Sequence, residues 1–251
     1  MNTTTTIKTA WFVLLTAAGA VTLLPSDAYA MHISDGILPP VWAAFWWVAA
    51  VPFVAMGLKV YKERSAADPS AKPFVALIGA AVFVVSCMPI PVPIAGTTAH
   101  PCGTGLAAIL IGPWLTILIS SIALALQALF LAHGGVTTLG ANIFSMGIVG
   151  SITGYGAFKL MKAFGASTWA AAFAAGLISD WGTYATTSFH MALALHGDSS
   201  MFHMFLAVGA AFVPTQVPLG ILEGFLAAGA YQFITVRRPA LLTMFSAGRS
   251  A

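Results

Sequence analysis

Long apolar stretches separated by short polar ones dominate this sequence. Downstream of residue 30 the apolar stretches cover residues 38–58, 74–94, 103–132, 140–162, 167–194 and 202–236. Each is at least as long as the roughly 20 residues with which an α-helix crosses a bilayer. The pattern therefore predicts an all-α integral membrane protein.

One polar stretch indicates how these helices are oriented. Residues 59–72 carry four of the positive charges, and short loops rich in lysine and arginine lie on the cytoplasmic side of a membrane. We therefore expect residues 59–72 inside and residue 31 on the outer side, where removal of a secretory leader would also place it.

The stretch over residues 103–132 needs a break to agree with that orientation. A single crossing there would place four later cations outside, against the positive-inside rule: Lys159, Lys162, Arg237 and Arg238. Because proline interrupts a helix, we expect a reversal at Gly112-Pro113 and a short or broken membrane segment over residues 103–111, buried in protein or lining a cavity. The prediction is about seven membrane segments, with the N-terminus outside and the C-terminus inside.

Composition agrees with a membrane protein and excludes several other classes. The chain is 59% hydrophobic and 7% charged, whereas soluble domains carry about 25% charged residues. The net charge is +3, but no basic cluster with interleaved aromatics exists, so we expect no nucleic-acid partner. Two cysteines, Cys87 and Cys102, are too few for a disulfide framework.

The first 30 residues have the pattern of a cleavable signal peptide. Lys8 precedes an apolar stretch over residues 10–24, a polar break follows, and Ala28-Tyr29-Ala30 gives the small-x-small sequence after which signal peptidase cuts. The expected organisation is a signal peptide over residues 1–30 and one polytopic membrane domain over residues 31–251.

Cleavage after Ala30 would create a metal chelator. Met31 would acquire a free amine, and His32 would stand in second position. The amine, the amide nitrogen of His32 and its imidazole can close two fused chelate rings on one ion. Three nitrogens in a plane suit Ni(II), Cu(II) and, less strongly, Co(II). The alternative is that His32 is an ordinary loop residue.

His100 is the natural fourth nitrogen ligand. It lies in a stretch of small residues over positions 96–105 and on the same predicted outer side as Met31. The alternative is a loop histidine that faces the outer solution. Two side chains nearby are weaker candidates: Cys102 as a soft ligand or a small residue in a tight loop, and His133 as a neighbour of the ligands or part of the entry path.

The predicted topology separates the two kinds of basic side chain. All ten lysines and arginines fall at or near the inner face, with Lys8 counted at the cytoplasmic end of the leader. All six histidines fall at or near the outer face: His32, His100, His133, His190, His196 and His203. Imidazole is the commonest metal ligand in proteins, so this distribution fits a metal ion collected from outside.

The sequence leaves the roles of three acidic side chains open. Asp35 could cap the first helix or orient the imidazole of His32, and capping is the simpler role. Asp180 and Glu223 fall inside predicted membrane helices, where ionisable groups are rare and indicate function by default. Asp180 fits a structural hydrogen-bond network as well as a transport role. Cys87, in the second predicted span, is expected to pack in the core.

Several enzymatic motifs are absent from the sequence. It contains no GxxxxGK[ST] for ATP hydrolysis, no HExxH, no GxSxG and no CxxCH. We therefore expect neither an ATPase nor a hydrolase nor a haem protein, and no catalytic residues.

Several long stretches resemble one known family. They are MHISDGILPPVW (31–42), HPCGTGLAAILIGPW (100–114), QALFLAHGGVTTLGANIFSMGIVG (127–150), ISDWGTY and VPTQVPLGILEGFLAAG. Over residues 31–240 the sequence resembles CbiM/NikM, the substrate-capture membrane subunit of cobalt and nickel transporters of the energy-coupling-factor type. The resemblance implies four nitrogen ligands: the Met31 amine, the His32 amide and imidazole, and the His100 imidazole.

The resemblance also implies partners and a substrate. The partners would be a pair of ABC-type ATPase subunits, a transmembrane coupling subunit and, in some relatives, a small accessory membrane subunit. The HPCGTG and LAHGG segments are closer to the cobalt branch, which implies Co(II) import across the inner membrane for cobalamin biosynthesis. Nitrogen ligation favours Ni(II) on intrinsic affinity, so nickel supply to urease or hydrogenase is the alternative. Two other functions are left open: a stand-alone metal permease, and a membrane metalloenzyme or redox protein.

Overall fold

The computed structural model describes residues 29–30, 32–88, 90–92 and 97–246. Eight helical elements follow in chain order: α1 (Pro40–Ala67), α2 (Ala71–Ser86), α3 (Thr104–Ile111), α4 (Pro113–Phe130), α5 (Leu139–Ala163), α6 (Thr168–Leu195), α7 (Met201–Arg237) and α8 (Pro239–Ser246). The middle of α5 is a π-helix over Ile143–Gly150. Three short strands, β1 (Tyr29–Ala30), β2 (Ile90–Val92) and β3 (Thr97–Ala99), form a small sheet.

The helices confirm an all-helical integral membrane protein. Within the described residues four helices are long and apolar enough to cross a membrane: α1, α4, α5 and α7. The 16 residues of α2 are apolar but shorter. The 28 residues of α6 contain a series of buried polar side chains, among them Asp180, Thr183 and His190. The long apolar stretches of the sequence therefore correspond to helices.

The predicted break at Gly112-Pro113 is confirmed. Helix α3 ends at Ile111 and α4 begins at Pro113, and Gly112 between them has a φ of +88°. Seven of the eight residues of α3 are buried, because α3 packs against α4, α5 and α6 inside the helical bundle. This burial agrees with the expectation that a short segment must be enclosed by protein.

Two features around α1 and α2 differ from the prediction. The expected loop over residues 59–72 is mostly helical, since α1 continues to Ala67. Lysine, glutamate, arginine and alanine favour helices, so this polar segment extends the helix instead of ending it. The predicted span over residues 74–94 is also too long, because α2 ends at Ser86 and the chain then enters β2.

Among the described helices the most extensive contact joins α6 and α7. Small residues let the backbones approach: a Cβ atom at Gly176 would lie 2.5 Å from the carbonyl oxygen of Glu223 on α7. In the same way a Cβ at Gly105 on α3 would lie 2.5 Å from the carbonyl oxygen of Ala175. Such small-residue contacts are typical of helices that pack in membranes, and they bring α3, α6 and α7 together.

Candidate metal centre

Three histidines that are far apart in sequence meet next to the small sheet. The Nε2 atoms of His32 and His100 lie 3.0 Å apart. The ring of His133 stands 4.9 Å from that of His32 and 5.0 Å from that of His100, centroid to centroid. One nitrogen from each ring falls within 4.8 Å of the others. His32 and His100 are buried, and His133 is half-buried.

The sheet explains why His32 and His100 are neighbours. Strand β1 pairs with β3 in parallel, with Ala30 opposite Thr98. Each of these residues precedes a histidine by two positions, so continuing the parallel register places His32 beside His100. These strands were not expected from the apolar pattern of the sequence. Met31, the predicted source of the amine, and residues 1–28 of the predicted leader lie outside the described residues.

The segment after His32 is tied to helix α5 through its backbone. The Ile33 N–H donates to Asn142 Oδ1 at 2.9 Å, and Asn142 Nδ2 donates to the Ile33 carbonyl at 3.1 Å. The Thr138 hydroxyl donates to the same carbonyl. Because Asn142 is buried, these hydrogen bonds hold the backbone next to His32 in one position.

Asp35 binds the loop that carries His133. Its carboxylate accepts hydrogen bonds from the Val136 N–H at 3.2 Å and from the Thr137 N–H at 2.8 Å and hydroxyl at 2.5 Å. The hydrogen bond from the Thr137 side chain lowers the pKa of Asp35 most, and the two backbone N–H groups add to it. The predicted cap role is wrong, since α1 begins after Pro39 with no side-chain cap.

Close approach at two glycines brings this loop against the His32 segment. Gly134 has a φ of +85°, and a Cβ there would lie 2.9 Å from the Cβ of His32. A Cβ at Gly135 would collide with the backbone nitrogen and carboxylate of Asp35. Any larger residue would therefore push the His133 loop away from His32.

A glutamine completes the surroundings of His32. Gln127 Oε1 lies 3.1 Å from His32 Nε2, and Gln127 Nε2 donates to the Ser86 hydroxyl at 2.7 Å. The Cys87 sulfur lies 3.5 Å from Gln127 Nε2. Cys87 is thus a half-buried residue at the end of α2 beside the site, rather than a core-packing residue inside a span. No local pattern around Gln127 indicates that it contacts His32.

Burial keeps the imidazoles neutral. It lowers the pKa of His100 to about 3, with a smaller effect from the nearby His133. Burial also lowers the pKa of His32 well below its ordinary value, and the neighbouring His100 and His133 lower it further. The pKa of His133 is lowered by burial as well. Neutral imidazole is the form that binds metal ions.

The contacts of His100 and His133 make one nitrogen of each ring a potential ligand for a cation. His100 Nδ1 lies 3.0 Å from the Pro101 carbonyl oxygen, so Nδ1 carries the proton and Nε2 presents its lone pair. Such a partner on the distal nitrogen is usual for metal-binding histidines. The buried Nε2 of His133 has no hydrogen-bond partner among the described residues. The cluster therefore offers imidazole nitrogens to a metal ion.

The other three histidines do not join this cluster. His190 is buried, and its ring lies 3.7 Å from that of Trp46, centroid to centroid. His196 Nδ1 lies 3.1 Å from the Ser199 carbonyl oxygen near the end of α6. His203 is exposed on α7. His190 is therefore a buried core residue, and His196 and His203 lie at helix ends, where their surroundings do not indicate a metal ligand.

Cys102, Asp180 and Glu223 form a separate cluster. Their sulfur and carboxylate oxygens lie within 4.8 Å of one another, and all three side chains are buried. Cys102 precedes α3, Asp180 lies on α6 and Glu223 on α7. Cys102 is therefore not placed among the imidazoles, although it lies two residues after His100.

Comparisons with known proteins agree on one family. The family model described as "Cobalt uptake substrate-specific transmembrane region", CbiM, matches residues 32–241. The cobalt transport protein CbiM of Sorangium cellulosum is 57% identical over 221 residues, which cover 88% of this chain and 98% of that protein. The protein of the same name from Geobacter sulfurreducens is 52% identical over 220 residues, covering 88% of this chain and 64% of its own length. A crystal structure of a truncated transition metal transporter superposes with a TM-score of 0.72 at 25% identity, covering 82% of this chain and 98% of that one.

Proposed function

The chain belongs to the CbiM family of cobalt-uptake membrane proteins, and we propose on this basis that it captures Co(II) on the outer side of the inner membrane. Its role is that of the substrate-specific subunit of an energy-coupling-factor transporter that feeds cobalamin biosynthesis. It performs no covalent chemistry and has no ATPase of its own. Members of this family are named as transport proteins rather than enzymes.

The observation that carries the proposal is the contact between two imidazoles. His32 Nε2 and His100 Nε2 lie 3.0 Å apart in a buried cluster, although the residues are 68 positions apart. In the mature chain the Met31 amine and the His32 amide nitrogen would add two nitrogens to the two imidazoles. A chelate ring with its own amide uses Nδ1 of His32, so this ring would turn on binding while His100 keeps Nε2 toward the ion.

The proposed topology has about seven membrane segments after cleavage of residues 1–30. They correspond to the seven helical elements α1 to α7, with α3 as the short segment inside the protein. The mature N-terminus and the histidine cluster lie on the outer side, and the lysines and arginines at the end of α1 and α7 lie inside. A cation from outside then meets the histidines first.

Partners must supply the energy for inward release. The sequence has no phosphate-binding loop, so ABC-type ATPase subunits and a transmembrane coupling subunit would drive transport, with a small accessory membrane subunit in some systems. A stand-alone permease is the alternative. Uptake into vesicles that contain this chain alone would favour the permease, and strict dependence on the ATPase would exclude it.

Ni(II) is the alternative substrate, for urease or hydrogenase supply. A nitrogen-rich site in a plane binds Ni(II) more tightly than Co(II) on intrinsic affinity. The family description and the names of the relatives support cobalt. Competition between the two ions for purified mature protein, together with uptake of each ion into cells, decides between them.

The direct test replaces each imidazole ligand in turn. His32→Ala and His100→Ala should each lower the affinity for Co(II) by at least about a hundredfold, because loss of a supporting partner alone costs roughly 10–100-fold. Isothermal titration of the purified mature chain measures this affinity. His203→Ala, an exposed histidine on α7, is the matched control and should bind like the wild type. Unchanged affinity in both ligand variants would refute the assignment.

A further inference from the structure

The cluster of Cys102, Asp180 and Glu223 is closed off from solvent. The exposed fraction is 0% for Cys102, 0% for Asp180 and 4% for Glu223. The Cys102 thiol faces Asp180 Oδ1 at 3.9 Å. Sulfur and carboxylate oxygens from three separate chain segments thus converge on one small volume, within 4.8 Å of one another.

Nothing basic in the described part of the chain lies inside this cluster. No lysine or arginine there is buried, and Asp180 Oδ2 has no hydrogen-bond partner among the described residues. Burying two ionised carboxylates with no positive charge beside them costs a large amount of folding free energy. They must either hold protons or hold a cation.

Glu223 has a structural contact that leaves room for a second role. Its two oxygens accept hydrogen bonds from the backbone N–H groups of Cys102 and of Gly103, the latter at 3.1 Å. These N–H groups stand at the start of α3, so Glu223 fixes the beginning of that helix. Each carboxylate oxygen has two lone-pair directions, and a cation can use those that remain. Asp180 has no such backbone contact to account for its position.

The cluster of Cys102, Asp180 and Glu223 is adjacent to the histidine centre. Only Pro101 separates His100 from Cys102, so their Cα atoms are at most about 7 Å apart. Tyr184, one helical turn after Asp180 on α6, donates its hydroxyl to the His100 carbonyl at 3.2 Å. The same short segment and the same helix therefore serve both clusters.

The geometry points to a second cation site, formed by Cys102, Asp180 and Glu223, that receives a divalent first-row transition metal ion from the histidine centre. A thiolate beside two carboxylates suits Co(II) or a similar ion and disfavours Mg²⁺ and Ca²⁺, which take oxygen ligands alone. The site extends the proposed function, since it gives the captured ion its next position inside the protein. Unlike the histidine centre, it needs no free N-terminus.

Optical titration with Co(II) tests this site separately from the first. Co(II) bound by a thiolate has a sulfur-to-metal charge-transfer band in the near ultraviolet, which nitrogen ligands do not produce. The purified double variant His32→Ala/His100→Ala should still bind Co(II) with this band. Cys102→Ser should lose the band. Cys87→Ser, the matched control at the other cysteine, should keep it.

Two further variants separate cation binding from helix capping. Glu223→Gln removes the charge and keeps one of the two oxygens that accept from the N–H groups at the start of α3, so circular dichroism must show that its fold is intact. Asp180→Asn removes the other charge and leaves the N–H contacts of α3 unchanged. Each should weaken Co(II) binding in the His32→Ala/His100→Ala background by at least about tenfold. A band that survives Cys102→Ser, or unchanged affinity in both charge-removing variants, overturns the second site.

The outcome also distinguishes failure of this site from failure of the proposed function. If the double histidine variant matches the wild type in circular dichroism but binds no Co(II), the second site is wrong and the cluster is a pair of carboxyl groups sharing protons. If that variant keeps wild-type Co(II) uptake in cells, the assignment of the histidine centre is wrong, whatever the band shows.

Discussion

The two buried clusters are built from different parts of the fold. His32, His100 and His133 all lie outside the helices, in segments that are held by the small sheet and by hydrogen bonds to α5. Asp180 and Glu223 lie inside α6 and α7, and Cys102 directly before α3. A site made of loops can be completed or altered by a local event such as cleavage. A site made of packed helices depends on how the helices move against one another.

The largest expected difference between the clusters follows from keeping the leader in place. Ala30→Lys removes the small residue before the predicted cleavage point and should block maturation. Without a free amine at Met31, affinity for Co(II) at the histidine centre should fall by at least about a hundredfold, by the same reasoning as for lost ligands. The Cys102 charge-transfer band should remain.

Mass spectrometry of the purified chain provides the control for this experiment. It must show the leader attached in Ala30→Lys and absent from the wild type. If the wild type itself retains residues 1–30 and still binds Co(II) through His32 and His100, the free amine is not a ligand.

A smaller effect is expected from the anchor of the His133 loop. Asp35→Ala removes the acceptor for the Val136 and Thr137 N–H groups and should free the loop that packs on His32. We expect roughly tenfold weaker Co(II) binding, the lower end of the effect of lost supporting partners. The matched control is Asp68→Ala, since Asp68 accepts similar bonds from Ser70 and lies at the C-terminal end of α1, whereas Asp35 precedes the start of that helix. Equal affinities in the two variants would show that Asp35 does not support the centre.

The smallest effect is a dependence of the metal-free fold on pH. Free histidine has a pKa near 6.5, whereas burial lowers the pKa of His100 to about 3 and that of His32 well below the ordinary value. Between these limits the unfolded chain binds more protons than the folded chain, so stability is complete above about pH 6.5 and declines as the pH falls toward the folded values. Each histidine contributes a slope of at most about 1.4 kcal/mol per pH unit.

Thermal melting of the metal-free protein between about pH 7 and pH 5 measures this slope. His100→Leu should show a shallower decline than the wild type, because the replacement cannot take up a proton when the chain unfolds. The same slope in both proteins would mean that His100 is protonated equally in the folded and unfolded chains.

Much of the architecture could be predicted from the sequence because helices in a membrane have a strong local pattern. The apolar stretches located the helices, and Gly112-Pro113 located the break between α3 and α4. The extension of α1 to Ala67 was missed because a helix can continue beyond the apolar stretch when its residues are good helix formers.

The candidate site was only partly predictable for the same reason. Met31-His32 is a local motif, and His100 could be chosen because it shares the predicted side of the membrane. Gln127 was missed, and the place of His133 stayed open between a neighbour of the ligands and the entry path, because the positions of both residues depend on how α2, α4 and the loop before α5 pack. Asp180 and Glu223 were each singled out, but their meeting with Cys102 depends on contacts between α3, α6 and α7.

If residues 1–30 are a cleavable leader as predicted, the pairing of β1 with β3 would give that leader a role beyond export. If residues 1–30 are removed as predicted, β1 leaves with them, and the mature protein loses the strand whose register set His32 opposite His100. The hydrogen bond that Ile33 N–H donates to Asn142 and the one that Asp35 accepts from Thr137 N–H do not involve residues 1–30. These contacts would therefore keep His32 in position after β1 is lost. The leader would thus assist folding before it is cleaved off. A chain synthesised directly from Met31 should then reach its binding-competent form more slowly than a chain that is cleaved after folding.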